Sequence, residues 1–220
     1  MRSHRNTSGC GSFVAILVGL LLLTIGAIAN FVAPTWINRE NVRLAALPRL
    51  TAATLEVTGV AVEASLEGVI APTQARQFRN FVAFVREQAS MGRDPAGQWV
   101  EVGRVTPPLQ VLTSSGAVVR VFNNNYDIRN PITTFTDSVL VTNGTTRYRG
   151  FEVGHRVLVV GRTAREGGAM GLDADFVAAG TMEDYTRGQS DSLFIARVIG
   201  GILAIAGTLM IVVAAIAMRR

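Results

Sequence analysis

This 220-residue chain contains no lysine; all 21 of its basic residues are Arg. A lysine Schiff base and a Ser–Lys dyad are thereby excluded. Cysteine is nearly absent as well. Cys10 stands alone, so no intramolecular disulfide is possible. With only His4 and His155 beside it, the four ligands of a structural zinc site cannot be gathered. Cys10 precedes an apolar run and reads as a membrane-flanking thiol, with palmitoylation as the alternative. Charge is also scarce, at 17% of residues against about 25% in ordinary soluble domains. The deficit is local, since residues 12–34 and 198–218 carry no charge at all.

The charge that is present is placed unevenly. All 16 acidic residues lie between positions 35 and 192, where Arg matches them in number. The formal excess of +5 therefore sits on Arg2, Arg5, Arg197, Arg219 and Arg220. A nucleic-acid-binding domain concentrates its cations on the folded part. Here they flank the apolar segments, so the excess is a topology signal and nucleic acid is not expected as a partner.

The first apolar run, Phe13 to Ala33, ends at Pro34 with Trp36 beyond it, and the second runs from Val198 to Met218. Each has about the 20 residues needed to cross a bilayer. Trp36 suits the membrane interface. The competing reading of the first run is a signal peptide, with Arg2 and Arg5 as its basic region and Ala27-Ile28-Ala29 as its cleavage site; the apolar stretch continuing to Ala33 favours a retained anchor. Gly19, Gly26 and Ala27 in the first run, and Gly200, Gly201, Ala204 and Gly207 in the second, form small-residue faces through which such helices pack or self-associate. The Arg-bearing ends place both termini in the cytoplasm and the central domain on the extracytoplasmic side of the cell membrane. Arg39, Arg43 and Arg49 argue the other way, but charge in a long translocated segment has little weight.

The expected organisation is a tail (1–12), a transmembrane helix (13–33), a juxtamembrane segment (34–56), a β-domain (57–180), a linker (181–197) and a second transmembrane helix (198–218). Within the domain, Val60 to Ile70 alternates as a half-buried strand does. Phe81 to Val85 reads as a buried strand, and Trp99, Val100 and Val102 as another. Leu109 to Leu112 and Ala117 to Phe122 form a hairpin around a Gly-bearing loop. Asn123-Asn124-Asn125, Asp94-Pro95-Ala96-Gly97 and Asn143-Gly144 read as turns. Ser138 to Thr142, Arg156 to Arg162 and Ala174 to Ala178 complete the set. The fold class is mainly β, a compact barrel or sandwich-like domain between two transmembrane α-helices.

Three stretches carry a family resemblance: Glu67 to Pro72 followed by Phe81 to Glu87; Trp99 through the hairpin tip at Ser115-Gly116 to Val121; and Arg147 to Gly161, which reads RYRGFEVGHRVLVVG. Together they resemble the GIDE (BAM) domain, a membrane-embedded β-domain of the mitochondrial ubiquitin ligase activator and of prokaryotic relatives. The ligase of that family carries a Cys/His-rich RING, which one Cys and two His cannot build. The resemblance therefore implies a partner-recognition module and no ubiquitin ligase activity.

Candidate chemistry is thin. His155 lies in a turn near Glu152, with no nucleophile elbow to serve. Asp173 and Asp175 share one strand face and suggest a divalent cation only weakly. Gly161 to Gly168 is Gly-rich but is a hairpin loop and no P-loop. Arg76, Arg79 and Arg86 flank Phe78, Phe81 and Phe84, a pattern that suits anionic lipid heads or a protein partner and also ordinary packing. Exposed apolar side chains near Phe78, Phe81 and Tyr126 would supply a binding patch. No catalytic, cofactor or metal residue is assigned. The expected function is a non-enzymatic membrane-anchored interaction or scaffold protein whose partners are membrane lipid and a protein, or a second copy. A hydrolase, or an accessory subunit of a membrane enzyme, is the alternative.

Overall fold

The computed structural model describes residues 8–89, 99–137 and 145–218. In chain order, α1 (Ser8–Ala27), a π-helical turn (Ile28–Val32) and α2 (Ala33–Ala46) form one helical run. Then come β1 (Arg49–Leu50) and α3 (Ala52–Val57). Strands β2 (Glu63–Ile70), β3 (Phe81–Ala89), β4 (Trp99–Val105), β5 (Leu109–Leu112) and β6 (Val118–Val121) follow. The described strands end with β7 (Asp127–Arg129), β8 (Thr133–Asp137), β9 (Thr146–Glu152), β10 (Arg156–Glu166) and β11 (Ala169–Ala179), before the long helix α4 (Met182–Met218). The strand expected at Ser138 to Thr142 and the turns at Asp94 to Gly97 and Asn143-Gly144 lie outside the described residues.

Two compact units result. One holds the helices up to Arg43 and from Thr186 onward; the other is Leu44–Tyr185. Among the described residues two helices, Phe13–Ala46 and Met182–Met218, are each long and apolar enough to cross a membrane. Only 11% and 17% of their apolar windows is buried, so most of that surface faces outward. The helices meet at small residues. A Cβ on Gly19 would lie 2.8 Å from the Gly207 carbonyl oxygen, and one on Gly26 would lie 2.6 Å from that of Gly200. Glycine at these four positions is what allows so close an approach. Gly201 lies off this seam, with nothing within 4 Å of an added Cβ.

The first helix does not stop at Pro34. Proline lacks the N–H that would bond four residues back, and its ring crowds that carbonyl. The chain accommodates it by widening to a π turn, in which the Ala33 N–H donates to the Ile28 carbonyl. The helix then continues to Ala46, through the first part of the expected juxtamembrane segment. Residues 182–197 of the expected linker are helical too. Thr181 caps α4: its hydroxyl accepts from the Asp184 N–H (3.1 Å), and the Asp184 carboxylate accepts from the Thr181 N–H (3.0 Å).

The second unit is built on a closed barrel. β2 pairs antiparallel with β5, β5 with β6, β6 runs parallel to β11, and β11 pairs back through β10 to β2. Numbered 1 to 5 in chain order, these five strands close in the circuit 1-2-3-5-4, the Greek-key order of OB-type barrels. β3 and β4 are inserted after the first barrel strand, and β8 and β9 after the third. Together they form a separate four-stranded antiparallel sheet, ordered β4-β3-β9-β8. Its inner face joins the barrel core, where Val82, Ala83, Val85 and Phe151 pack with Leu66, Val111, Val121 and Leu172.

The Val-rich run in β10 has a direct explanation. Val157 and Val159 point into the barrel, whereas Leu158 and Val160 point outward into a second cluster with Leu44, Phe176, Met182 and Tyr185. A strand buried on both faces reads as continuously apolar. β2 starts three residues later than the alternation predicts: Ala61 takes a left-handed turn conformation (φ 64°), and Val60 and Val62 are exposed.

Candidate functional site

A hollow of about 660 Å³ lies over β5 and β6. Gln110 and Arg120 face each other across the hairpin in register, both pointing out of the barrel. The loop after β2 forms one wall. It is pinned to β5 by a small network: the Ala71 N–H donates to the Gln110 carbonyl (2.8 Å), and the Gln110 N–H donates to Gln74 Oε1 (2.9 Å). Gln74 Nε2 in turn donates to the Pro108 carbonyl, and the Thr73 hydroxyl to Gln110 Oε1, both at 3.0 Å. The opposite wall is the β10–β11 turn, where Gly167 and Gly168 take positive φ and Glu166 stands exposed. Phe122 forms an apolar side; Gly171 leaves room for its ring, since a Cβ there would lie 2.6 Å from it.

The site thus offers amide and guanidinium donors, one carboxylate and one aromatic flank on a fixed frame. Its volume falls within the range of small-molecule and side-chain pockets. On OB-type barrels, the loops flanking strands two and three border the ligand-binding face. Gln110 and Arg120 were not singled out in the sequence. Their signal is the alternation of LQVL against VVRV, which turns one polar residue outward on each strand of the hairpin.

Of the residues raised from sequence, the Asp173–Asp175 pair and His155 lie apart, whereas Phe78, Phe84 and Arg86 are brought together around one hollow. Asp173 and Asp175 are exposed on one face of β11, with Arg162 opposite Asp173 in register. They border a separate hollow of about 630 Å³ with Asn123 and Asn125. Among the described residues, no group of three or more His, Cys, Asp or Glu could hold a metal ion. His155 serves its turn, its Nδ1 accepting from the Glu152 backbone N–H (3.1 Å). Of the Gly161 to Gly168 segment read as a hairpin loop, only Gly167 and Gly168 form the turn, since β10 runs on to Glu166. The expected apolar patch needs correction: Tyr126 and Phe81 are buried (0% and 2% exposed) and belong to the core, leaving only Phe78 of the three half-exposed. Tyr126 donates its hydroxyl hydrogen to the Pro107 carbonyl (2.9 Å), and burial pushes its phenol well above the ordinary range.

Asn123, read from sequence as a turn residue, does more. Its Nδ2 donates to the Ala174 carbonyl, and its Oδ1 accepts from the Ala174 N–H, both at 2.8 Å. β6 leaves β11 at Leu172 and β7 joins it at Phe176. The Asn123 amide supplies the missing rung between them, and so fixes the barrel wall beside the hollow at Asp173 and Asp175.

No family model, no curated protein and no solved structure matches this chain.

Proposed function

We propose that the chain is a two-pass protein of the cell membrane that presents its barrel on the extracytoplasmic side as a GIDE-like, non-enzymatic binding module. The observation that carries this reading is the groove over Gln110 and Arg120, built on a pinned loop and a tight glycine turn. The two long apolar helices support membrane anchoring, and the Arg-bearing ends support cytoplasmic termini. The packing of Gly26 against Gly200 supports a first helix that is retained and not cleaved near Ala29. Because the small-residue faces pack the chain's own helices together, the partner contact is assigned to the barrel and not to those faces; lipid surrounds the helices. The prokaryotic setting rests on the family resemblance alone.

A photo-crosslinking amino acid placed at Gln110 in the full-length protein, in intact cells, tests the groove. The expected result is a discrete adduct that disappears when Arg120→Glu is added. The same crosslinker at exposed Asn130, in the turn after β7, should give no such adduct. Equal adducts from both positions, or an adduct indifferent to Arg120→Glu, would refute the assignment.

A further inference from the structure

The outer face of the four-stranded sheet carries a second feature, independent of the groove. In register across the four strands lie Gly103 on β4, Arg86 on β3, Tyr148 on β9 and Phe135 on β8. The neighbouring row is Val105, Phe84, Gly150 and Thr133. Phe78, from the turn before β3, lies over both rows, stacked on Tyr148 at 4.5 Å and tilted against Phe84 at 5.8 Å.

Two devices fix the position of Arg86. A β-bulge interrupts the β3–β4 register between Arg86 and Glu87, and bulges re-aim side chains. Opposite it, Gly103 has no side chain, and the Arg86 guanidinium lies across it, with three of its atoms 3.6–3.9 Å from where a Cβ would stand. Beside it, Arg104 is neutralised by Glu101 (3.0 and 3.1 Å) and by Asp127 (2.7 Å). Among the described residues, no ion pair or hydrogen bond engages Arg86. The result is a hollow of about 370 Å³ lined by Gln77, Phe78, Phe84, Arg86, Arg104 and Tyr148, with no carboxylate in its wall.

The geometry points to a binding site for an organic anion: a carboxylate or phosphate carried on a flat apolar body. The anion meets the uncompensated Arg86 guanidinium, whose planar fork matches either group. The flat body lies against the rings of Phe78 and Tyr148. A bare inorganic ion would use only the first half of the site, and a neutral ring only the second.

The test is ligand-observed NMR on the full-length protein in detergent. The probes are phenyl phosphate and benzoate, with inorganic phosphate and benzamide as the half-ligands. Both complete probes should bind, and each half-ligand should bind about tenfold more weakly or worse, the equivalent of losing one charge-assisted hydrogen bond or one stacked ring. Arg86→Gln should weaken phenyl phosphate by about tenfold or more. Gly103→Leu, which fills the slot without removing charge, should weaken it as well, with circular dichroism unchanged in both variants. The proposal is overturned if neither complete probe binds, if benzamide matches benzoate, or if phenyl phosphate binds Arg86→Gln as it binds the parent protein.

Discussion

At the scale of single residues, polar side chains in this domain complete the backbone as much as they offer chemistry. Asn123 shows this most directly. Replacing it with Ala leaves the Ala174 N–H and carbonyl without their partners at a buried position, which should cost about 2–3 kcal/mol, read as a lower denaturation midpoint. Asn123→Asp keeps an acceptor but loses the donor and should fall between the two. Tyr126 sets an alkaline limit. The folded state holds the phenol neutral well above its ordinary value of 10.0, whereas the unfolded chain ionises near that value. The stabilising contribution is therefore complete below pH 10 and is lost as pH rises above it, at up to about 1.4 kcal/mol per pH unit. Tyr126→Phe should flatten that part of the stability–pH curve, and an unchanged slope would contradict the buried assignment.

Elements show where the sequence speaks and where it is silent. β10 was legible because burial on both faces makes its run continuously apolar; of β11 only the end, Ala174 to Ala178, was, because Gly171 and Asp173 break the apolar pattern before it. The hairpin β5–β6 was legible because its apolar alternation brackets a Gly-bearing loop. β8 and β9 were not: Thr133 to Asp137 and Thr146 to Glu152 carry Thr and Arg on a sheet with one open face, so their alternation is weak in hydrophobicity. The helix boundaries were misjudged for a different reason. Pro34 is a strong stop signal, and a π turn overrides it. At the start of α4, the Thr181 to Asp184 capping pattern is visible in sequence, but it lies among polar residues that read as a linker. The candidate groove was legible only as a hairpin, since its second wall comes from a turn more than 40 residues away in the chain.

Two packing predictions belong to this scale. Gly26→Leu and Gly207→Leu insert bulk where α1 and α4 touch, and each should cost about 1–3 kcal/mol through overpacking. Gly201→Leu should have little effect, because an added Cβ there meets nothing. Thermal denaturation of the three variants in one detergent separates a real seam from a general intolerance of bulk. In the barrel domain, Tyr185 stacks on Phe176 at 5.4 Å and accepts a hydrogen bond from Arg129 (3.0 Å). Tyr185→Ala should cost about 3–5 kcal/mol, the range for a buried aromatic truncated to Ala, and would loosen the cluster over β10.

The whole molecule has two helices able to cross a membrane and a five-stranded barrel with extra strands. Asp173, Asp175 and His155 are the groups the sequence raised for catalysis, and they lie outside the groove at Gln110 and Arg120. The two readings therefore depend on different residues. The most direct measurement is complementation of a deletion strain by two full-length variants, each checked for membrane level and fold. One carries Asp173→Ala, Asp175→Ala and His155→Ala together; the other carries Gln110→Leu with Arg120→Glu. A binding module that works through the groove predicts full rescue by the first and loss of rescue by the second. Failure of the first, with rescue by the second, would contradict it.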